Sequence, residues 1–296
     1  MDDDLSLSVC QVNIVSLDLK SNSKQNLSCS IVDEDTLTLD IADIGSYTLM
    51  WTPTASSYDG LAYTSEDGVL GGEKDSELLA LALGFMFTEG LIVSLLDVVS
   101  MMVCPDQSSL IEVQLKVPKE ILVNRRDVTI TSSCGYCGAR EIIDNNQLNL
   151  PVLDQSLTIA AGLITSGMLL MTARQKIFQL TGGSHAAAEM NKRGELLAVC
   201  EDLGRHNALD KVIGRNILLG ENLSQSCVLL SSRLSLEMVV KAIRAGIQVL
   251  AAVGAPTSLA VKVADAYGVT LCGFVREQRL TLFTHPERVI NKSFSS

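Results

Sequence analysis

The pattern of apolar and polar positions changes near residue 150. Before it, apolar residues come in short, weakly alternating runs; after it, they come in blocks separated by polar turns. Residues 1–70, rich in Ser, Thr, Asp and Val, predict short strands and loops. SYDGLAYTSEDGVLGG (57–72) is crowded with turn formers and predicts a surface loop. DSELLALALGFMFTEGLI (75–92) has helical spacing, with Ser76 as its N-cap and Gly90 as its stop. VVSMMVCPD and SLIEVQLKV predict two strands, and VNRRDVTITSSCGYCG a strand that runs into a loop holding two cysteines.

The second half predicts a long apolar helix over 155–173. FQLTGGSHAAAEMNKRGELLAVCED then predicts two strands joined by a turn at Asn191–Gly194. Three helix-then-strand units follow, ending on SCVLLSS, IQVLAAVG and VTLCGFV. Continuous apolar runs such as VLL and VLAAV mark strands covered by helices on both faces. The expected fold class is therefore α/β (α+β overall). A β-rich N-terminal domain would cover 1–130 with one helix near 75–90, a cysteine loop and linker 131–150, and an α/β domain 151–296.

Composition narrows the function. The 296 residues are 47% hydrophobic and carry a net charge of -11. So acidic a chain lacks the broad basic face of a nucleic-acid binder. An anionic ligand would have to be held locally by arginines and backbone amides. The most apolar stretch, LTIAAGLITSGMLLM (157–171), is too short to span a membrane. The start, MDDDLSLSVC, lacks the pattern of a secretory signal, so a cytoplasmic, reducing location is expected. There most of Cys10, Cys29, Cys104, Cys200, Cys227 and Cys272 would serve as small core residues.

Ligands of open α/β sheets bind beyond the carboxyl ends of the strands. Four polar stretches fall at such ends: EDLGRHNALDK (201–211), SSRLSLE (231–237), GAPTSLA (254–260) and REQR (276–279). Helix N-termini there offer unpaired N–H groups, and Ser235 and Thr257 could cap two of them. Arg205, Arg233, Arg276 and Arg279 add forked donors for phosphate oxygens. His185 and His206 are the candidate functional histidines; His285 is expected to be structural. Glu201, Asp202 and Asp210 would orient the histidines or cap the helix.

The pair Cys134 and Cys137 in SSCGYCG admits three chemistries. A zinc clip needs four ligands in paired spacings, and no second pair is present; no tightly held metal is expected. A dithiol redox pair is the stronger rival, although such pairs normally open a helix. A persulfide carrier suits a loop in which glycines follow both cysteines.

Taken together, SSCGYCG, TGGSHAA, EDLGRHNALDK, SSRLSLEMVVKA, APTSLAV and TLCGFVR, with LALGFMFTEGLI, resemble the FdhD family, the formate dehydrogenase accessory sulfurtransferases. The resemblance runs from about residue 75 to about 288. It implies a sulfurtransferase that takes sulfur from a cysteine desulfurase as a persulfide on Cys134, with Cys137 assisting. The sulfur would pass to the molybdenum cofactor, bis-molybdopterin guanine dinucleotide (Mo-bisMGD), which then enters formate dehydrogenase. The cofactor would be a bound substrate. Gly273, Phe274, Val275, Arg276, Glu277, Gln278 and Arg279 match the family's cofactor-binding segment. His185, Asp202, Arg205, His206, Ser231 and Arg233 complete the expected site, with Asp202 accepting from a guanine edge. The resemblance further implies a cytidine deaminase-like fold for the later half and a homodimer. The chain departs from the family pattern before the first helix, where IADIGSYTLMWTPTASSYDGLAYT replaces a Glu-Pro-Leu segment and an Asn-Gly turn. Leu203 stands where Val is usual.

Overall fold

The apolar blocks of the second half form one six-stranded sheet. In the computed structural model, residues 8–54, 58, 60–73, 76–116 and 150–291 are described, together with the backbone of 129–130. The strands of this sheet are β11 (His185–Asn191), β12 (Leu196–Asp202), β13 (Ser226–Leu230), β14 (Val249–Ala252), β15 (Thr270–Arg276) and β16 (Arg279–Leu282). Their spatial order is β12-β11-β13-β14-β15-β16. Strands β13, β14 and β15 are mutually parallel, whereas β11 runs antiparallel to both β12 and β13.

Every residue of β13 and β14 is buried. One face packs on helix α2 (Ala161–Arg174) through Ile164, Met168 and Met171. The other face packs on α4 (Arg205–Leu219), α5 (Leu236–Arg244) and α6 (Ser258–Tyr267). Double coverage is why these strands read as unbroken apolar runs.

A seven-stranded sheet forms the other half, in the order β6-β5-β7-β8-β3-β4-β9. Its strands are β3 (Asp35–Ile41), β4 (Gly45–Trp51), β5 (Ala62–Thr64), β6 (Gly68–Leu70), β7 (Val98–Cys104), β8 (Gln107–Leu115) and β9 (Thr129–Ile130). Helix α1 (Glu77–Thr88) covers one face, with ten of its twelve residues buried. It is buried nearly all round because α4 lies on its far side. The two helices cross at glycines: a Cβ on Gly84 would overlap the Asp210 carbonyl, and one on Gly214 the Ala80 carbonyl.

Four expectations change. Residues 57–72 were expected as a surface loop, but β5 and β6 form a hairpin there, with Leu61 and Tyr63 buried. The helix expected from 155 begins at Ala161, after a short strand β10 (Ile159–Ala160) that pairs with β17 (Val289–Ile290). The FQLT segment, expected as a strand, lies in a short helix α3 (Lys176–Thr181), whose first amides bond to the Glu201 carboxylate. Finally, Cys10 is exposed and Cys29 and Cys104 are half-buried; Cys200, Cys227 and Cys272 alone among the six are core residues. Cys10 and Cys29 lie on a two-stranded ribbon, β1 (Val9–Asp18) and β2 (Ser23–Val32), which has no second layer along much of its length among the described residues. Burial pushes the Cys272 thiol up to about 12, which makes it an inert packing group.

Candidate functional site at the carboxyl edge of the second sheet

Because β11 is antiparallel to both its neighbours, β12 runs in the same direction as β13, β14 and β15. The four polar stretches therefore emerge along one sheet edge. Across it stand the ends of β12 at Asp202, β13 at Ser231, β14 at Val253 and β15 at Arg276, with the starts of β11 at His185 and β16 at Arg279 between and beside them. Six strands about 4.8 Å apart make an edge roughly 24 Å wide.

One end of the edge is a cluster of titratable groups. His185 is half-buried, its Nδ1 lying 3.5 Å from the Ser231 hydroxyl oxygen. That oxygen accepts from the Ala186 amide at 2.9 Å, which fixes its position. Burial holds the His185 imidazole below its ordinary 6.5; the Arg205 charge adds to this and Asp202 opposes it. Arg205 and His206 open helix α4, which starts after Gly204 without a side-chain cap. The Arg205 Nε is buried with no acceptor among the described residues. Such a donor is a costly feature unless a ligand supplies the acceptor. Glu237, in the first turn of α5, sits beside this group. Burial pushes its carboxyl up, but the Ser235 hydroxyl and the charges of His206 and Arg205 outweigh that and leave it below the usual range.

The other end is the β15–β16 hairpin. Gly273 is required there: a Cβ would lie 2.8 Å from Phe283 and 3.1 Å from Pro256. Phe274 has φ 52°, the left-handed region that a bulky side chain seldom adopts. Its amide donates to the Gly254 carbonyl at 3.1 Å, and its ring, 43% exposed, lies 6.2 Å from that of Phe283. Val275 is core. Arg276 Nη1 donates to the carbonyls of Val253 at 2.9 Å and Val275 at 2.8 Å, which pins the guanidinium at the edge. Glu277, Gln278 and Arg279 form the exposed turn, and Arg233 is exposed after β13.

Asp202 corrects an expectation. It is fully buried, and its carboxylate accepts from the amides of Thr52 and Gly204 and from Asn207 Nδ2, and pairs with Lys211 at 3.1 Å. The hydrogen bonds assigned to a guanine are made inside the chain instead. Glu201 caps α3 and Asp210 pairs with Lys241 at 2.9 Å. Ser235 occupies an N-cap position without a side-chain bond to the backbone there, whereas Thr257 accepts from the Ala260 amide. His285 is structural, its Nε2 lying 2.9 Å from the Asp265 carbonyl. Cys134 and Cys137 lie outside the described residues.

Sequence reasoning passed over Glu237 and Phe283. An acidic residue in the first turn after SSRLS was a readable signal for the first; nothing local marks the second.

A model of the FdhD/NarQ family matches residues 73–290. The chain belongs to that family. Among the curated relatives, the sulfur carrier protein FdhD of Saccharolobus solfataricus is 39% identical over 211 residues, covering 71% of this chain and 78% of its own. The protein of the same name from Sulfurisphaera tokodaii is 40% identical over 212 residues, covering 71% and 79%. The crystal structure of a candidate formate dehydrogenase accessory protein from Desulfotalea psychrophila superposes with a TM-score of 0.69 at 25% identity, covering 95% of this chain and 99% of that one. Among the described residues no helix is long and apolar enough to cross a membrane.

Proposed function

We propose that this protein is a sulfurtransferase of the FdhD type, a sulfur carrier that serves formate dehydrogenase. Sulfur reaches it from a cysteine desulfurase: the terminal sulfur of the desulfurase persulfide, with its proton, bonds to the Cys134 thiolate as the desulfurase thiolate leaves. The acceptor is the molybdenum cofactor, Mo-bisMGD, bound as a substrate along the carboxyl edge of the second sheet. Cys137 assists release. The reading includes a homodimer in the cytoplasm and a cytidine deaminase-like second half, the latter supported by the order β12-β11-β13-β14-β15 with helices on both faces.

The observation that carries this reading is the edge itself. It offers the N-terminus of α4, the buried Arg205 Nε that has no acceptor among the described residues, and the pinned Arg276 in a single row. These groups suit phosphates, while the exposed Phe274 offers a face on which a flat heterocycle stacks. His185, whose imidazole burial holds below its ordinary value, is placed to accept a proton there and become a cation.

The test is mass spectrometry after incubation with a cysteine desulfurase and cysteine. The wild type gains the mass of one sulfur atom and Cys134→Ala gains none. The same variant leaves formate dehydrogenase inactive in cells lacking the native carrier. A loss of two protons in place of the sulfur gain would instead establish a dithiol redox protein. For the edge, Arg276→Ala and Arg279→Ala weaken GDP binding in calorimetry; unchanged affinity would remove the nucleotide from this site.

A further inference from the structure

The β1–β2 ribbon carries, in only two strands, the pattern of a sheet with a second layer. Its register sets Cys10 opposite Ile31, Val12 opposite Cys29 and Ile14 opposite Leu27, so these six side chains share one face. The opposite face holds Gln11, Asn13, Asn26, Ser28 and Ser30, with Val15 and Leu17 nearer the tip. On it Gln11 Nε2 donates to the Ser30 hydroxyl oxygen at 2.7 Å, and the Ser28 hydroxyl donates to Gln11 Oε1 at 3.0 Å. An antiparallel sheet with one apolar and one polar face normally packs the apolar one, and a lone two-stranded hairpin is marginal in water. Yet Cys10 is exposed, and Leu27 and Ile31 are 47% and 42% exposed. The ribbon meets the rest of the chain at its root, beside α3, where a Cβ on Gly183 would lie 2.7 Å from Val32 Cγ1. It also lies outside residues 73–290, so the family match assigns it no role.

Charge and area bear on what covers this face. Asp18, Lys20 and Lys24 give the ribbon a net +1; the whole chain carries -11, so the remainder carries -12. A second copy of the chain therefore presents a strongly anionic body to a weakly cationic arm. Ten residues at about 3.4 Å each, across two strands each about 4.8 Å wide, make a face of roughly 330 Å². Two such faces laid on each other bury about 650 Å², the size of a crystal contact. Two arms, each seated on the body of the other copy, bury about 1,300 Å², the size of a specific interface.

We propose that the ribbon is a dimerisation arm. The face formed by Cys10, Val12, Ile14, Leu27, Cys29 and Ile31 seats on the body of a second copy, and the two arms are exchanged reciprocally. Within the dimer Cys10 and Cys29 become core residues. This rests on the homodimer included in the reading above and names its interface.

The test is sedimentation equilibrium of the full chain, with thermal melting as the check on folding. Leu27→Lys and Ile31→Lys place a charge in the apolar face; Asn26→Lys places the same charge on the polar face. The first two are expected to raise the dimer dissociation constant about tenfold or more, because each buries an unpaired charge. Dilute samples, monomeric throughout, melt like the wild type, because the substituted side chains are exposed in the single copy. Asn26→Lys dimerises like the wild type. A second readout needs no substitution: alkylation of Cys10 by N-ethylmaleimide, followed by peptide mass spectrometry, is expected to run about tenfold slower above the dissociation constant than below it. The arm is overturned if Leu27→Lys dimerises like the wild type, if Asn26→Lys weakens the dimer as much, or if Cys10 reacts at one rate at every concentration. A wild type that stays monomeric defeats the homodimer itself, which separates the two failures. If that monomer co-sediments with phosphatidylcholine vesicles, the face belongs to a lipid surface and the arm is again overturned.

Discussion

Phe274 shows how one residue can carry two separable roles. Its φ of 52° costs a non-glycine residue on the order of 1–2 kcal/mol, yet the conformation places an exposed ring beside Phe283. Phe274→Ala removes the ring and keeps the strain, whereas Phe274→Gly removes both. Urea denaturation is therefore expected to find the glycine variant more stable than the alanine variant by about 1 kcal/mol. Calorimetry should find both equally weakened toward GDP. Equal stabilities would show that the backbone is not strained there; retained GDP affinity would show that the ring does not stack. The residues that gather at the edge were legible because arginines, histidines and turn formers followed each apolar run. The fate of Asp202 was not, because its partner Thr52 lies 150 residues away and carries no local mark.

Among the elements, α1 depends most on context. Its sequence reads as an ordinary helix with a stop at Gly90, and that much is correct. Hidden from the sequence is that its two ends face two buried lysines: Glu77 meets Lys211 and Glu89 meets Lys241. Asp210, fully enclosed, completes the second group; burial pushes its carboxyl up to about 6 against the pull of Lys241. Lys241→Met leaves that carboxyl without its counter-charge, at a cost of about 3–5 kcal/mol. The sign with pH follows. A carboxyl whose folded pKa is raised above its unfolded value contributes stability at low pH and loses it as pH rises through the folded value. Urea unfolding of Lys241→Met is thus expected to show a deficit that grows from pH 5 to pH 8. A pH-independent deficit would mean that Asp210 finds another partner. Short apolar runs were the weak point of the sequence reading: FQLT reads equally as strand or helix until Glu201, 23 residues past Phe178, caps it.

At the scale of the whole molecule, the two halves meet through residues that pack against both of their cores. The break in texture near residue 150 is real in sequence, and each half has its own sheet and core. Yet Phe87 and Ile217 pack against both cores, and the glycines of α1 and α4 allow an approach no other residue would permit. The charges tell the same story. Without residues 1–116, Lys211 keeps Asp202 but loses Glu77, Lys241 keeps Asp210 but loses Thr88 and Glu89, and Asn207 loses the Met50 carbonyl. The face of α4 that carries Gly214 would meet water together with the apolar residues around it. A fragment of residues 150–296 is therefore expected to retain helix and strand signals in far-UV circular dichroism. It should also bind a hydrophobic dye and melt without a cooperative transition, the behaviour of a chain that has lost specific packing. Sharp melting within a few degrees of the full-length protein would show that the second half is an autonomous domain and that α1 merely leans on it. The expected outcome instead makes α1 the shared core of both halves.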